Sequence, residues 1–164
     1  MRRDQGVSLI ELLIVVAIIL IIAAVAVPSF LRSRLLANES SAVASLRSLN
    51  SAQVSYNSVY PTVGFASTLT NLAGTCTGSN APTSTGACLI DNILGAAAAT
   101  STKSGYTFTI SGVSGTPAAT YQFVASPVSP NQTGVHYFCS YADAVVRVSM
   151  ASITTCDGTV SPQQ

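Results

Sequence analysis

From Val7 to Leu31 the chain carries one ionisable side chain, Glu11, in an otherwise apolar run, V-S-L-I-E-L-L-I-V-V-A-I-I-L-I-I-A-A-V-A-V-P-S-F-L. No other feature restricts the fold as much. The window matches the roughly 20 residues that a helix needs to cross the hydrocarbon layer of a bilayer. At roughly 25 cal/mol per Å2 of apolar area, such a helix gains on the order of tens of kcal/mol by leaving water. It therefore belongs in lipid or against other apolar helices.

The flanks give its direction. Arg2 and Arg3 precede the run, and Arg32 and Arg34 follow it. Short basic leaders are retained in the cytoplasm, which places residues 1–6 inside and the remainder outside. Beyond the run the chain is rich in Ser, Thr, Gly and Ala, and only 8% of all residues are charged, against about 25% in an ordinary soluble domain. A net charge of +1 argues against a strongly basic nucleic-acid-binding surface.

All four cysteines, Cys76, Cys88, Cys139 and Cys156, lie outside the apolar run. An even number of cysteines in an exported chain reads as two disulfides. Three connectivities are open. The sequence-local pairs Cys76 with Cys88 and Cys139 with Cys156 are favoured because each closes a short loop between structural elements. Metal ligation is the poorer reading: there is no C-x-x-C and a single histidine, His136, so no metal or cofactor is expected.

A cleavable secretory signal would end in a small-residue site and be lost. Here the helical pattern continues instead. The segment from Leu31 to Tyr56 contains neither Gly nor Pro. Leu35, Ala42, Val43, Leu46, Leu49 and Tyr56 recur at spacings that place them on or near one helical stripe. Glu39 and Gln53 fall on the same stripe and weaken it. The spacing predicts one helix from about Val7 to about Asn57, some 75 Å long at about 1.5 Å per residue, with a kink or short unwound stretch at Pro28.

The stretch G-V-S-L-I-E-L-L-I-V-V-A-I-I-L-I-I-A-A-V-A-V-P-S-F closely resembles the N-terminal segment of type IV pilins and of the related type II secretion pseudopilins. Gly6, Glu11 and Pro28 stand where that family has its leader glycine, its glutamate and its proline. Val7 departs from the family's usual phenylalanine but is among the residues tolerated there. The likeness is specific over residues 1 to about 35 and only architectural beyond. It implies cleavage between Gly6 and Val7 by a prepilin peptidase and methylation of the new amino group of Val7. It also implies residence in the inner membrane followed by assembly, through the machinery there, into an extracellular homopolymer of identical subunits.

The chemistry of Glu11 bears on that assembly. A carboxylate in a bilayer costs roughly 2.5 to 3.5 kcal/mol on insertion scales. Removal of the leader would create an α-ammonium at Val7, with an ordinary pKa of about 8. Glu11 can then pair with the Val7 ammonium of its own chain or, when helices stagger, with that of a neighbour, offsetting desolvation that neither charge could bear alone. A plainer reading keeps Glu11 solvated at headgroup depth or has it recognise the peptidase.

The remainder predicts an α+β head in which the amphipathic half of the helix, 32–57, packs on a small four-stranded antiparallel sheet. Residues 58–104 form a connecting loop region, with a helical turn at Leu69, Leu72 and Ala73 ended by Gly74. The stretch 92–105 is ambiguous between a short helix and a linker. Strands are expected at 106–111, where Tyr106, Phe108 and Ile110 alternate with polar residues, and at 119–125, 136–141 and 145–150. The segment 105–164 holds this sheet and a disulfide-closed C-terminal region.

Nothing in the sequence organises catalysis. Asp91, Asp143, Asp157 and His136 are the acid or base groups outside the helix, and no G-x-S-x-G surrounds any serine. Asp143, in A-D-A, reads as a turn former and His136 as an edge residue. Asn38 and Asn131 each begin an N-x-S/T triplet. Phe30 and Tyr56, the aromatic residues of the long helix, lie about 39 Å apart on its rise, too far for an aromatic ladder. The leading expectation is a filament subunit, not an enzyme. The alternatives are a minor pilin or pseudopilin, or a single-span anchored binding module outside the family.

Overall fold

The computed structural model describes residues 8–74 and 81–163. The chain divides into two compact units, Met1–Arg34 and Leu35–Gln164. Helix α1, Leu9–Val59, contributes to both.

Within the first unit α1 is continuous through Pro28, so the unwound stretch anticipated there is absent. Proline removes the hydrogen bond that a residue at position 28 would give to the carbonyl of Ala24, but the turns on either side keep theirs and carry the helix past the gap.

In the second unit α1 buries Ala42, Val43, Leu46, Leu49, Ala52 and Tyr56 together with the polar Ser45, Asn50 and Gln53. Gln53 and Asn50 find hydrogen-bond partners in the fold. The Gln53 amide donates to the Ala66 carbonyl at 3.0 Å and accepts from the Ala66 N–H at 2.8 Å. Asn50 donates to Ser140 Oγ at 2.8 Å, and its Oδ1 accepts from the Ser140 and Tyr121 hydroxyls at 3.0 and 3.4 Å. Burial pushes the Tyr121 phenol up to about 12.

After α1 the chain turns at Pro61 and Gly64. Phe65 N–H donates to the Ala118 carbonyl and Ala118 N–H to the Val63 carbonyl, both at 2.9 Å. Gly64 has φ +84°, and a Cβ there would strike the backbone of Ala118. Helix α2, Leu69–Leu72, is a single turn whose first residues are capped by Thr68, its side chain accepting from Asn71 N–H at 3.2 Å.

The sheet among the described residues has five antiparallel strands in sequential order: β1 Thr100–Lys103, β2 Tyr106–Gly115, β3 Ala118–Pro127, β4 Tyr137–Tyr141 and β5 Arg147–Ser149. This corrects the expectation of four. The added strand, T-S-T-K, lies in the stretch that read ambiguously, because it is short and polar and buries only Ser101. Its partner holds it in place: Lys103 pairs with Tyr106 across a two-residue turn in which Ser104 and Gly105 have φ of 50° and 74°, the positive values a tight hairpin requires.

Alternation along the strands builds two layers. Tyr106, Phe108, Ile110, Tyr121, Phe123, Ala125 and Phe138 form one core with the buried stripe of α1. Val124 and Cys139 belong to a second cluster with Ile153 and Cys156. Cys139 and Cys156 are joined by a disulfide, with Cα atoms 5.8 Å apart. Gln122 Oε1 accepts from Cys156 N–H at 2.8 Å. Val148 N–H donates to the Ser161 carbonyl and Gln163 N–H to the Val146 carbonyl, both at 2.9 Å, so the last residues cover the edge left by β5.

Candidate assembly surface

The first unit presents an apolar helical surface of unusual extent. Between Leu9 and Leu31 every large apolar side chain is exposed, from 45% at Val16 to 80% at Leu9. Among the described residues α1 is one helix long and apolar enough to cross a membrane, and its apolar window is not buried in the chain. The core helix of a soluble protein with such a composition would be covered. At the end of the window the Arg34 guanidinium lies 5.1 Å from the centre of the Phe30 ring, a cation–π distance.

Glu11 sits in the first turn of α1. Its Oε2 accepts from the Ser8 backbone N–H at 2.9 Å, and Ser8 O receives Leu12 N–H at 3.2 Å. Ser8 is thus the residue before the helix and Glu11 the third within it, the reciprocal half of a capping box. The favourable interaction of a carboxylate with the amino-terminal end of a helix adds to the contact. The pattern S-x-x-E, here S-L-I-E, carried this signal, and the reading of Glu11 as an isolated charge overlooked it. Gly6 and Val7 lie outside the described residues, and so do leader cleavage, methylation and any contact between Glu11 and the Val7 amine.

The other expected residues fall in the second unit. Cys88 is disulfide-bonded; Cys76 lies outside the described residues. His136 is held by a helix residue that the sequence reading did not connect to it. Glu39 Oε1 accepts from the backbone N–H groups of Val135 and His136 at 2.8 and 3.1 Å, and Glu39 Oε2 lies 2.9 Å from His136 Nδ1. Burial alone would raise the Glu39 carboxyl, but these donors outweigh it and hold it below the usual carboxylate range. One turn position away, Asn38 donates its amide to the Thr133 carbonyl at 2.9 Å. That amide is engaged in the fold, whereas Asn131 is exposed in the turn.

Asp143 closes its turn by accepting from Val145 N–H at 3.0 Å and receives Arg147 at 2.6 and 3.1 Å. Burial opposes ionisation of Asp143, but the Arg147 guanidinium prevails and keeps its carboxyl low. The same guanidinium lies 4.4 Å from the Tyr141 ring centre. Asp91 accepts from Ile93 and Leu94 N–H groups and pairs with Lys103. These acids and bases fasten turns and loops; Glu39 and His136 border one open groove and Asp91 and Lys103 another, each already paired within the fold.

Residues 1–27 match the family model described as the prokaryotic N-terminal methylation motif. A stretch of 54 residues, 33% of the chain, is 46% identical to the type IV major pilin protein PilA of Myxococcus xanthus (strain DK1622). That stretch spans 24% of the relative's length, about a quarter. No solved structure matches the chain. Over its N-terminal third, where the methylation motif and the apolar helix lie, the chain is thus similar to a type IV major pilin.

Proposed function

We infer that the chain is a structural subunit, not an enzyme, that polymerises through the first half of α1 into an extracellular type IV pilus serving adhesion, motility or a related surface task. The observation that carries this reading is the uncovered apolar surface from Leu9 to Leu31 with Glu11 at its head. An apolar helix of this extent is stable in two settings, lipid before assembly and a bundle of like helices after it. A simple anchor gains nothing from an intramembrane carboxylate, which costs free energy unless it is matched.

In this reading prepilin peptidase cuts between Gly6 and Val7, the Val7 amine is methylated, and Glu11 of one copy neutralises the Val7 ammonium of the next. The capping contact with Ser8 supplies the Glu11 carboxylate with a partner before that exchange. Disulfides at Cys76, Cys88, Cys139 and Cys156 would keep the folded unit intact outside the cell.

Shearing of the cell surface, electron microscopy and N-terminal mass spectrometry test the proposal together. Abundant fibres whose subunit begins at methylated Val7 are the expected result. A chain that retains Met1 and stays in the membrane fraction would sink it.

A further inference from the structure

Charge is scarce in the second unit, and most of it is matched internally. Asp91 pairs with Lys103, Asp143 with Arg147, and Glu39 with His136 and two backbone donors. Among the described side chains of Leu35–Gln164, two charges remain, one of each sign.

Arg47 is exposed on α1 and enters no hydrogen bond or ion pair with another described residue. It borders a groove of about 570 Å3 together with Leu36, Val43, His136 and Gln163. Asp157 is exposed and accepts only from the Thr159 N–H at 2.9 Å and the Thr159 hydroxyl. Its basic neighbour, Arg147, is already bound through two nitrogens to Asp143.

The two charges belong to opposite sides of the sheet. Arg47 is on the helix that packs against the layer of Phe108, Phe123 and Phe138. Asp157 follows Cys156, which packs in the other layer with Val124 and Cys139. Complementary patches on different faces of one chain join copies head to tail, and repetition of such a contact generates an open helical array instead of a closed dimer. A second copy of the chain offers each charge its complement at fixed stoichiometry. On so sparsely charged a surface few competing pairings exist to confuse the register.

We propose that Arg47 of one copy pairs with Asp157 of a neighbouring copy, so that this ion pair sets the lateral register between folded units. The proposal rests on the filament reading above. The pair forms between, not within, chains.

A zero-length crosslink tests it on the full chain. In Arg47→Lys the position keeps its charge and gains an amine that carbodiimide joins to a contacting carboxylate. Asp157→Asn keeps the Thr159 turn but cannot react. Sheared fibres and membranes from Arg47→Lys cells, treated with carbodiimide, should yield crosslinked dimers on a denaturing gel through a junction that the unsubstituted chain lacks. Mass spectrometry should place the amide between positions 47 and 157, and adding Asp157→Asn should abolish it. Fibres without that crosslink overturn the ion pair and leave the filament reading standing. The crosslink in membranes of cells that make no fibres keeps the contact and removes the filament reading; absence of both overturns both. As a second readout, Arg47→Glu or Asp157→Arg alone should lower fibre yield by about threefold or more at an unchanged membrane pool, and the two together should restore it, since like charges repel across such a contact. Failure of the double exchange to restore fibres counts against the pair.

Discussion

Gln53 and Ala66 are bound to each other at two points, the side-chain amide of the first matching both the N–H and the C=O of the second, and both residues are wholly buried. An amide at this position on the inner face of a helix does the work of a strand partner for the segment that follows α1.

Substitution Gln53→Leu keeps the volume and removes both bonds, leaving the Ala66 backbone unsatisfied in the core. The expected cost is about 2 to 4 kcal/mol. Gln53→Glu should also destabilise, since a carboxylate cannot donate to the Ala66 carbonyl. Urea unfolding of the detergent-solubilised chain, followed by circular dichroism, measures both.

Glu39 makes stability depend on pH in a defined direction. Its folded-state pKa is depressed below the ordinary value of 4.5, so its contribution is complete above that value and is lost as pH falls through the lower folded value. The stability difference between the wild type and Glu39→Gln should therefore be largest near neutrality and shrink toward pH 3. A difference that grows on acidification would contradict the assignment of Glu39 as the ionised anchor of Val135 and His136.

Charge and capping can be separated at Glu11. The Gln side chain retains an oxygen for the Ser8 N–H but carries no charge, so Glu11→Gln should leave the helix start and leader processing intact. Fibre yield should fall about tenfold or more, the scale of an unmatched charge in an apolar interface. Sheared-fibre yield and the mass of the processed subunit are the two measurements; normal fibres would remove the charge-pair mechanism.

The Cys139–Cys156 bridge closes a loop with a sequence separation of 17. In the chain-entropy treatment a loop of this size is worth about 3 kcal/mol. The double substitution Cys139→Ser, Cys156→Ser should lower unfolding stability by that amount. It should also loosen the pairing of Val146 and Val148 with residues 161–163, visible as faster amide hydrogen exchange at those two positions.

Gly64→Ala should destabilise by about 2 kcal/mol or more, because the position has φ +84° and the added methyl meets the Ala118 backbone. Thermal unfolding reports it directly.

Sequence and structure part company at polar residues more than at apolar ones. The long helix was legible because hydrophobic content and the lack of Gly and Pro act locally, and the alternation of Tyr106, Phe108 and Ile110 marked β2 for the same reason. Glu39 and Gln53 read as flaws in the helical stripe. Their partners lie 96, 97 and 13 residues away, and no local pattern announces a side chain that completes a distant loop. Strand β1 was hidden because T-S-T-K has almost no apolar face; its existence depends on β2. The S-x-x-E capping pattern at Ser8 and Glu11 was present in plain sequence, overshadowed by the cost of a carboxylate in hydrocarbon. The S-G pair that turns β1 into β2 was also there to be read.

The trio of Asn50, Tyr121 and Ser140 bears on how this unit withstands load. Greasy surfaces slide past one another at little cost, because one apolar neighbour substitutes for the next. Moving α1 along the sheet by a single turn, about 5.4 Å, would strand an amide and two hydroxyls in a waterless gap, each forfeiting partners that nothing nearby replaces. The trio therefore acts as a detent: under a pull along the helix axis this layer should hold at one position and then give way abruptly, with no gradual creep.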